Sequence, residues 1–171
     1  MTGAELERQI EELHPASFSW ALACCRFDHH EAEDVLQTTY LKVMDGRARF
    51  AGRASVKTWL FAVIRTTAAE RRRRAWLRRL SLRRWLDGGE EPAPPVLAEE
   101  RVTDDERRRA VIAALTALPA RQREVLDLVF YHDLTVEEAA AVMGVTLGTA
   151  RIHYARGKAR LLGLLGPRGA P

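Results

Sequence analysis

Between Leu134 and Leu161 the letters dictate their own local structure. Thr135 and Glu138 form a T-x-x-E pattern, in which a hydroxyl and a carboxylate each satisfy a backbone N–H left open at a helix start. Gly144 supplies the left-handed residue that ends such a helix, and Thr146 is placed to cap the next one. Ala139, Ala140 and Ala141 keep the first helix thin where the second approaches. On the second helix Ala150, Tyr154 and Leu161 share one face at helical spacing. Gly148, Ile152, Ala155 and Ala159 lie opposite, flanked by Thr149, Arg151 and Arg156. A short helix, a glycine turn and a basic second helix make a shape that fits the DNA major groove. A plain surface helical hairpin carries the same caps, so the rest of the chain has to discriminate.

The remainder is helical in pattern too, and the expected fold is all-α. Apolar residues nowhere alternate with polar ones for long, so strand signals are nearly absent. With 171 residues, the chain suffices for one medium domain or two small ones. At 47% hydrophobic and 29% charged it reads as a soluble globular protein. Its two cysteines, Cys24 and Cys25, are neighbours that form a strained disulfide at best, and no second pair offers zinc spacing. That usage suits a reducing compartment. No stretch is apolar enough to span a bilayer, and Met1–Arg8 lacks the basic start and apolar core of a signal peptide. A cytoplasmic protein without direct membrane insertion is expected.

Helical spacing organises two blocks. Leu6, Ile10 and Leu13 predict a short helix stopped near Pro15, and Phe18, Ala21, Leu22 and Cys25 predict a second. Glu31 to Met44 places Val35, Leu36, Tyr40, Val43 and Met44 on one apolar side, with Asp34, Gln37, Thr38 and Lys42 on the other. Phe50 to Thr58 reads as a loop, and Thr58 as the cap of a helix starting at Trp59, with Leu60, Val63 and Ile64 apolar. Asp87-Gly-Gly-Glu-Glu-Pro-Ala-Pro-Pro suits neither helix nor strand and reads as a flexible linker. The second block begins near Asp104, runs through Val111, Ile112, Leu115 and Leu118, and breaks at Pro119. Arg121 to Tyr131 then predicts a helix with Val125, Leu126, Val129 and Phe130 apolar, leading into the helix-turn-helix.

A basic run closes the first block. Arg65, Arg71, Arg72, Arg73, Arg74, Arg78, Arg79, Arg83 and Arg84 are opposed only by Glu70, with Trp76 and Trp85 interleaved. A continuous helix there carries arginine on every side of its later turns, and burying it strands unpaired charge. It is therefore solvated or faces an anion. Arginine beside aromatic rings suits phosphate contact and base stacking together.

Three stretches, in order, resemble bacterial sigma factors of the extracytoplasmic-function type. Ala32-Glu-Asp-Val-Leu-Gln-Thr-Thr-Tyr-Leu-Lys-Val-Met44 resembles the helix by which that family binds core polymerase. Phe50-Ala-Gly-Arg-Ala-Ser-Val-Lys-Thr-Trp-Leu-Phe-Ala-Val-Ile64 resembles its promoter-melting segment, and Leu118-Pro-Ala-Arg-Gln-Arg-Glu-Val-Leu126 with the helix-turn-helix resembles its upstream-element reader. The resemblance implies two small helical domains joined by a flexible linker: residues 1–84 for core binding, minus-ten recognition and melting, 85–104 as linker, and 105–166 for the minus-thirty-five element. It implies core RNA polymerase, promoter DNA and an anti-sigma factor as partners.

The same resemblance assigns roles. Asp34, Gln37, Thr38, Tyr40 and Lys42 would meet the polymerase clamp. Arg53, Ser55, Lys57, Arg65, Thr66, Arg71 and Arg72 would serve the melted minus-ten element, whose flipped base needs a pocket. Trp59 reads as core rather than as a stacking platform. Thr149, Arg151, Ile152, His153 and Arg156 would face the minus-thirty-five element, Arg151 bonding a guanine edge and Ile152 touching a thymine methyl. The chain departs from the family's usual pattern at Thr66, where asparagine is common, and at Ala150, Ile152, His153 and Tyr154 of the recognition helix. No long C-terminal extension follows that helix, so control by a separate protein is expected.

Two other classes compete. A conventional helix-turn-helix regulator would bind duplex DNA without polymerase, but the first block offers neither a receiver nor a ligand pocket. An enzyme or metal site would draw on Asp28, His29, His30, Glu31 and Asp34 near the cysteines. Adjacent histidines on a helix diverge and do not share one ion, so no catalytic residue, metal or cofactor is expected.

Overall fold

The computed structural model describes residues 2–85 and 105–166. Among these there is no strand, and the chain divides into two compact units, one drawn from Met1–Ala51 and Val63–Glu99, the other from Gly52–Ala62 and Glu100–Pro171. The expected linker lies outside the described residues from position 86 on.

In the first unit α1 (Gly3–Glu12) is capped by Thr2, whose Oγ1 accepts the Glu5 N–H. It passes directly into α2 (His14–Cys24), with Pro15 in the first turn, where its missing N–H costs nothing. Trp20, Ala21 and Ser17 are buried and face α3 (His29–Met44), whose buried side is Ala32, Val35, Leu36 and Thr39. Asp28 caps α3 by accepting the Glu31 N–H at 3.0 Å. Met44, expected on the apolar side of α3, is 83% exposed at the C-terminal end of that helix.

The arginine-rich run is one continuous helix, α4 (Val56–Trp85). It begins three residues before the expected start at Trp59. The cap is Ser55, whose Oγ accepts the Thr58 N–H at 3.1 Å, and Thr58 itself is buried inside the first turn. Leu60, Phe61, Ile64, Thr67 and Ala68 are buried at helical spacing, while Arg73, Arg74, Arg78 and Arg79 are exposed. The buried positions thus stop where the arginine run begins, and residues 72–74 and 76–81 are exposed.

In the second unit α5 (Asp105–Thr116) ends before Pro119, and α6 (Ala120–Leu126) follows. A π-helical turn, Asp127–Tyr131, continues α6, closed by the His132 N–H on Asp127 O at 3.2 Å. The wider turn rotates the side chains after it. Leu128 therefore enters the core, fully buried, and Phe130, expected to be apolar core, is 59% exposed. Then come α7 (Val136–Met143) and α8 (Leu147–Leu165), with Ala139, Ala140, Val142, Met143 and Ala150 buried between helices.

Candidate nucleic-acid interface

The helix-turn-helix is built by its own caps. Thr135 Oγ1 accepts the Glu138 N–H at 3.1 Å, and the Thr135 N–H donates to Glu138 Oε2 at 2.8 Å. Gly144 ends α7 in the left-handed conformation, φ 65° and ψ 38°. The Val145 N–H reaches back to Ala140 O at 3.1 Å, satisfying a carbonyl the helix leaves open. Thr146 Oγ1 then accepts the Thr149 N–H at 3.2 Å and starts α8.

The orientation of α8 follows from one glycine. Gly157 is buried against α6: a Cβ there would stand 3.1 Å from Gln122 Cβ, 3.2 Å from Gln122 O and 3.2 Å from Leu126 Cδ1. Ala150 and Gly157 thus press one face of α8 inward, with Tyr154 half-buried and stacked on Phe130 at 5.9 Å between centroids. The opposite face is open, and Arg151, Ile152, Ala155, Arg156 and Ala159 are all exposed. Of the residues expected at the upstream element, Arg151, Ile152 and Arg156 lie on that face. Thr149 and His153 are half-buried, and the Thr149 hydroxyl sits 2.9 Å from the capping hydroxyl of Thr146. Arg121, on α6, donates to Met143 O at 3.4 Å and ties α6 to the end of α7.

The residues expected to handle melted DNA are spread over both units. Arg53 is exposed in the loop before α4, where Gly52 takes φ +70°. Ser55 is occupied as the α4 cap. Within the second unit Lys57 Nζ donates to His132 O at 2.5 Å and lies 5.8 Å from the Phe61 ring centroid. Phe61 meets the His132 imidazole edge-on at 4.8 Å, and both are buried, a cluster the letters did not announce because its members are far apart in sequence. Arg65 is half-buried and Thr66 exposed. Arg71 donates through Nη2 to Asp34 Oδ2 at 2.6 Å and through Nε to Glu31 Oε2 at 3.3 Å. Arg72 Nη1 donates to Cys24 O at 3.5 Å.

The residues expected to meet polymerase sit on α3, in two groups. Asp34 and Gln37 are exposed, next to Leu41 at 52% exposure, and Thr38 Oγ1 donates back to Asp34 O at 2.7 Å. Tyr40 and Lys42 face the protein instead. The Tyr40 hydroxyl lies 2.9 Å from His14 Nδ1, and burial pushes its phenol pKa up, with the Ser17 hydroxyl pulling the other way. Lys42 Nζ donates to Glu70 Oε2 at 2.7 Å and to Thr67 Oγ1 at 3.0 Å, with only 16% of its side chain exposed. The acidic and histidine residues near the cysteines have structural duties: Asp28 caps α3, Glu31 and Asp34 hold Arg71, and the His29 ring packs on Phe18.

Comparison with known proteins matches both halves. Residues 9–78 match the family described as Sigma-70 region 2, and residues 108–161 match Sigma-70, region 4. A probable RNA polymerase sigma-C factor of Mycobacterium bovis is 30% identical over 143 residues, covering 84% of this chain and 75% of the relative. The ECF RNA polymerase sigma factor SigC of Mycobacterium tuberculosis aligns equally well. Among solved structures, the sigma factor RpoE of Bartonella quintana, in complex with the anti-sigma factor NepR, superposes with TM-score 0.69 at 25% identity, covering 94% of this chain and 96% of that one. CnrH, solved with the cytosolic domain of CnrY, shares the fold with TM-score 0.62 at 22% identity, covering 96% and 89%.

Proposed function

Because this chain belongs to the extracytoplasmic-function sigma factors of the sigma-70 family, we propose a division of labour among its residues. A sigma factor binds core RNA polymerase and directs transcription from the promoters it recognises; the family is not an enzyme family, and we assign no catalytic residue here. Residues 1–84 form the core-binding and melting part, 85–104 the linker and 105–166 the upstream reader. On α3, Asp34, Gln37 and Thr38 meet the polymerase clamp, while Tyr40 and Lys42 brace the helix from behind. Arg53, Ser55, Lys57, Arg65, Thr66, Arg71 and Arg72 serve the melted minus-ten element.

The upstream reading is carried by one observation: α8 buries Ala150 and Gly157 and leaves Arg151, Ile152 and Arg156 open. A helix docked this way presents charge for phosphates and one branched apolar side chain for a thymine methyl. Thr149 and His153 border that surface. Control by an anti-sigma factor is supported by the RpoE–NepR likeness. Among the described residues no helix is long and apolar enough to cross a membrane, and we place the protein in the cytoplasm, where its polymerase is.

The test is reconstitution. The purified chain is mixed with bacterial core polymerase, co-elution is followed by size-exclusion chromatography, and run-off transcription is read from genomic fragments. Co-elution with new, specific transcripts is the expected result. DNA binding by the chain alone, with no co-elution, overturns it in favour of a conventional regulator.

A further inference from the structure

Helix α1 buries none of its residues. Leu6 and Ile10 are one turn apart and share a side, yet both are only half-buried. That side lines a cleft of about 660 Å³ against the last turn of α3, where Val43 is half-buried and Met44 exposed. His14 and Tyr40 also line it, and their hydrogen bond, 2.9 Å long, ties α2 to α3 there. Small-molecule sites hold roughly 300–1,000 Å³ within an apolar lining that carries a few polar groups, and this cleft has both properties. Its charge has one sign. Glu7 and Glu11 line it, and no lysine or arginine does among the described residues, although the chain as a whole carries a net charge of +4. Arg8, the single cation of α1, pairs with Glu12 at 2.8 Å, and neither Glu7 nor Glu11 is held in an ion pair with a described residue. Glu11 also lies in the last turn of α1, which has no basic residue. A carboxylate there meets the negative end of the helix dipole, and a cation beside it relieves that repulsion.

We propose that this cleft is a binding site for a small amphipathic amine. The apolar chain of the ligand lies among Leu6, Ile10, Val43 and Met44, and its ammonium group sits at Glu7 and Glu11. The chemistry selects this ligand. A fatty carboxylate or a nucleic acid brings like charge to the rim, and a neutral apolar molecule leaves both carboxylates uncompensated. A partner helix anchors along an extended apolar stripe of several turns, whereas α3 contributes a single turn here, Tyr40 to Met44. The site shares no residue with those assigned to promoter DNA, and it stands independently of the sigma-factor reading.

The experiment uses the full chain carrying carbon-13 in its methionine methyl groups. Met44 reports on the cleft, and Met143, buried in the second unit, is the internal reference. Met44→Leu assigns the reporting resonance. Octylamine, octanol and octanoate are titrated at neutral pH below their micellar concentrations, so that one alkyl chain is presented with three head groups. Octylammonium is expected to shift the Met44 methyl saturably and leave Met143 in place, with octanol weaker and octanoate weakest. Glu7→Gln combined with Glu11→Gln should lower octylammonium affinity about fivefold, as expected for exposed ion pairs, and leave octanol affinity unchanged. Added salt should act the same way. Both glutamates are exposed, so the variant folds, which circular dichroism verifies. No saturable Met44 shift with any probe overturns the proposal. So does octanoate binding as tightly as octylammonium, or a double variant that binds octylammonium like the native chain. A Met44 signal that responds to core polymerase and to none of the probes makes the cleft a protein interface, and the proposal fails.

Discussion

Arg71 and Asp34 are bonded to each other, Nη2 to Oδ2 at 2.6 Å, although the family pattern would give one to promoter DNA and the other to polymerase. The pair joins α4 to α3 and makes the two surfaces neighbours within one unit. Any phosphate that recruits Arg71 must compete with Asp34 and Glu31, and any clamp residue that recruits Asp34 loosens Arg71.

That competition predicts coupling. Both acids are about half exposed and Arg71 is 31% exposed, so Arg71→Ala is expected to cost no more than about 1 kcal/mol of stability. Its effect on core-polymerase affinity should shrink in an Asp34→Ala background. Titration of the two single variants and the double variant checks this; equal effects in both backgrounds would show that the residues act separately.

Gly157→Ala is expected to destabilise the second unit even though alanine is the better helix former. Propensity favours alanine by about 1 kcal/mol, but the new methyl meets the Gln122 backbone oxygen at 3.2 Å, and overpacking of this kind costs about 1–3 kcal/mol. Gly163→Ala, with nothing within 4 Å of the added Cβ, should be neutral or slightly stabilising. Equilibrium denaturation of the two variants gives opposite signs if the close approach of α8 to α6 is what Gly157 serves.

The caps are the cheapest point of failure in the reader. Thr135→Ala removes one side of the capping box and Thr146→Ala the start of α8. Each should cost about 1 kcal/mol, with Thr135→Ser recovering most of it. Thermal melts of the three variants test it, and an unchanged Tm for Thr135→Ala would count against the box as a stabilising element.

Burial pushes the Cys25 thiol up to about 11 from an ordinary 9.0, with Glu31 adding to the effect. The native state therefore resists forming the thiolate. Iodoacetamide should label Cys25 more slowly in the folded protein than in urea at the same pH. The pH dependence follows from the same sign: the folded pKa lies above the unfolded one, so the contribution to stability is complete below pH 9 and is lost as pH rises towards 11. Cys25→Ser should remove that alkaline loss, as measured by denaturation at a series of pH values.

The helix-turn-helix could be read from letters because everything that shapes it is local. A capping box, a left-handed glycine and a threonine cap each act within a few residues, and the structure places Thr135, Gly144 and Thr146 in those roles. The open face of α8 followed from spacing alone, and Ile152, Ala155 and Ala159 are exposed as expected. Helix starts were less legible where two hydroxyls compete. Ser55 and Thr58 both cap well in principle, and burial of Thr58 settles the choice. A strict helical period also misplaced Phe130 and passed over the buried Leu128, because a π-helical turn breaks that period and its cause lies in the packing around it.

The basic run marks the boundary most plainly. Its composition alone required a solvated or anion-facing helix, since so many guanidinium groups have no place in a core. Which arginines remain available could not follow from composition. Glu31 and Asp34 lie 40 and 37 residues before Arg71, and nothing in the sequence pattern names them as its partners, yet α3 packed on α4 brings all three together. Gly157 is the same case, ordinary in the letters and made indispensable by Gln122 on another helix. Local sequence sets turns, caps and periodicity because those energies act over a few residues; pairing and close approach depend on groups that only folding brings within reach.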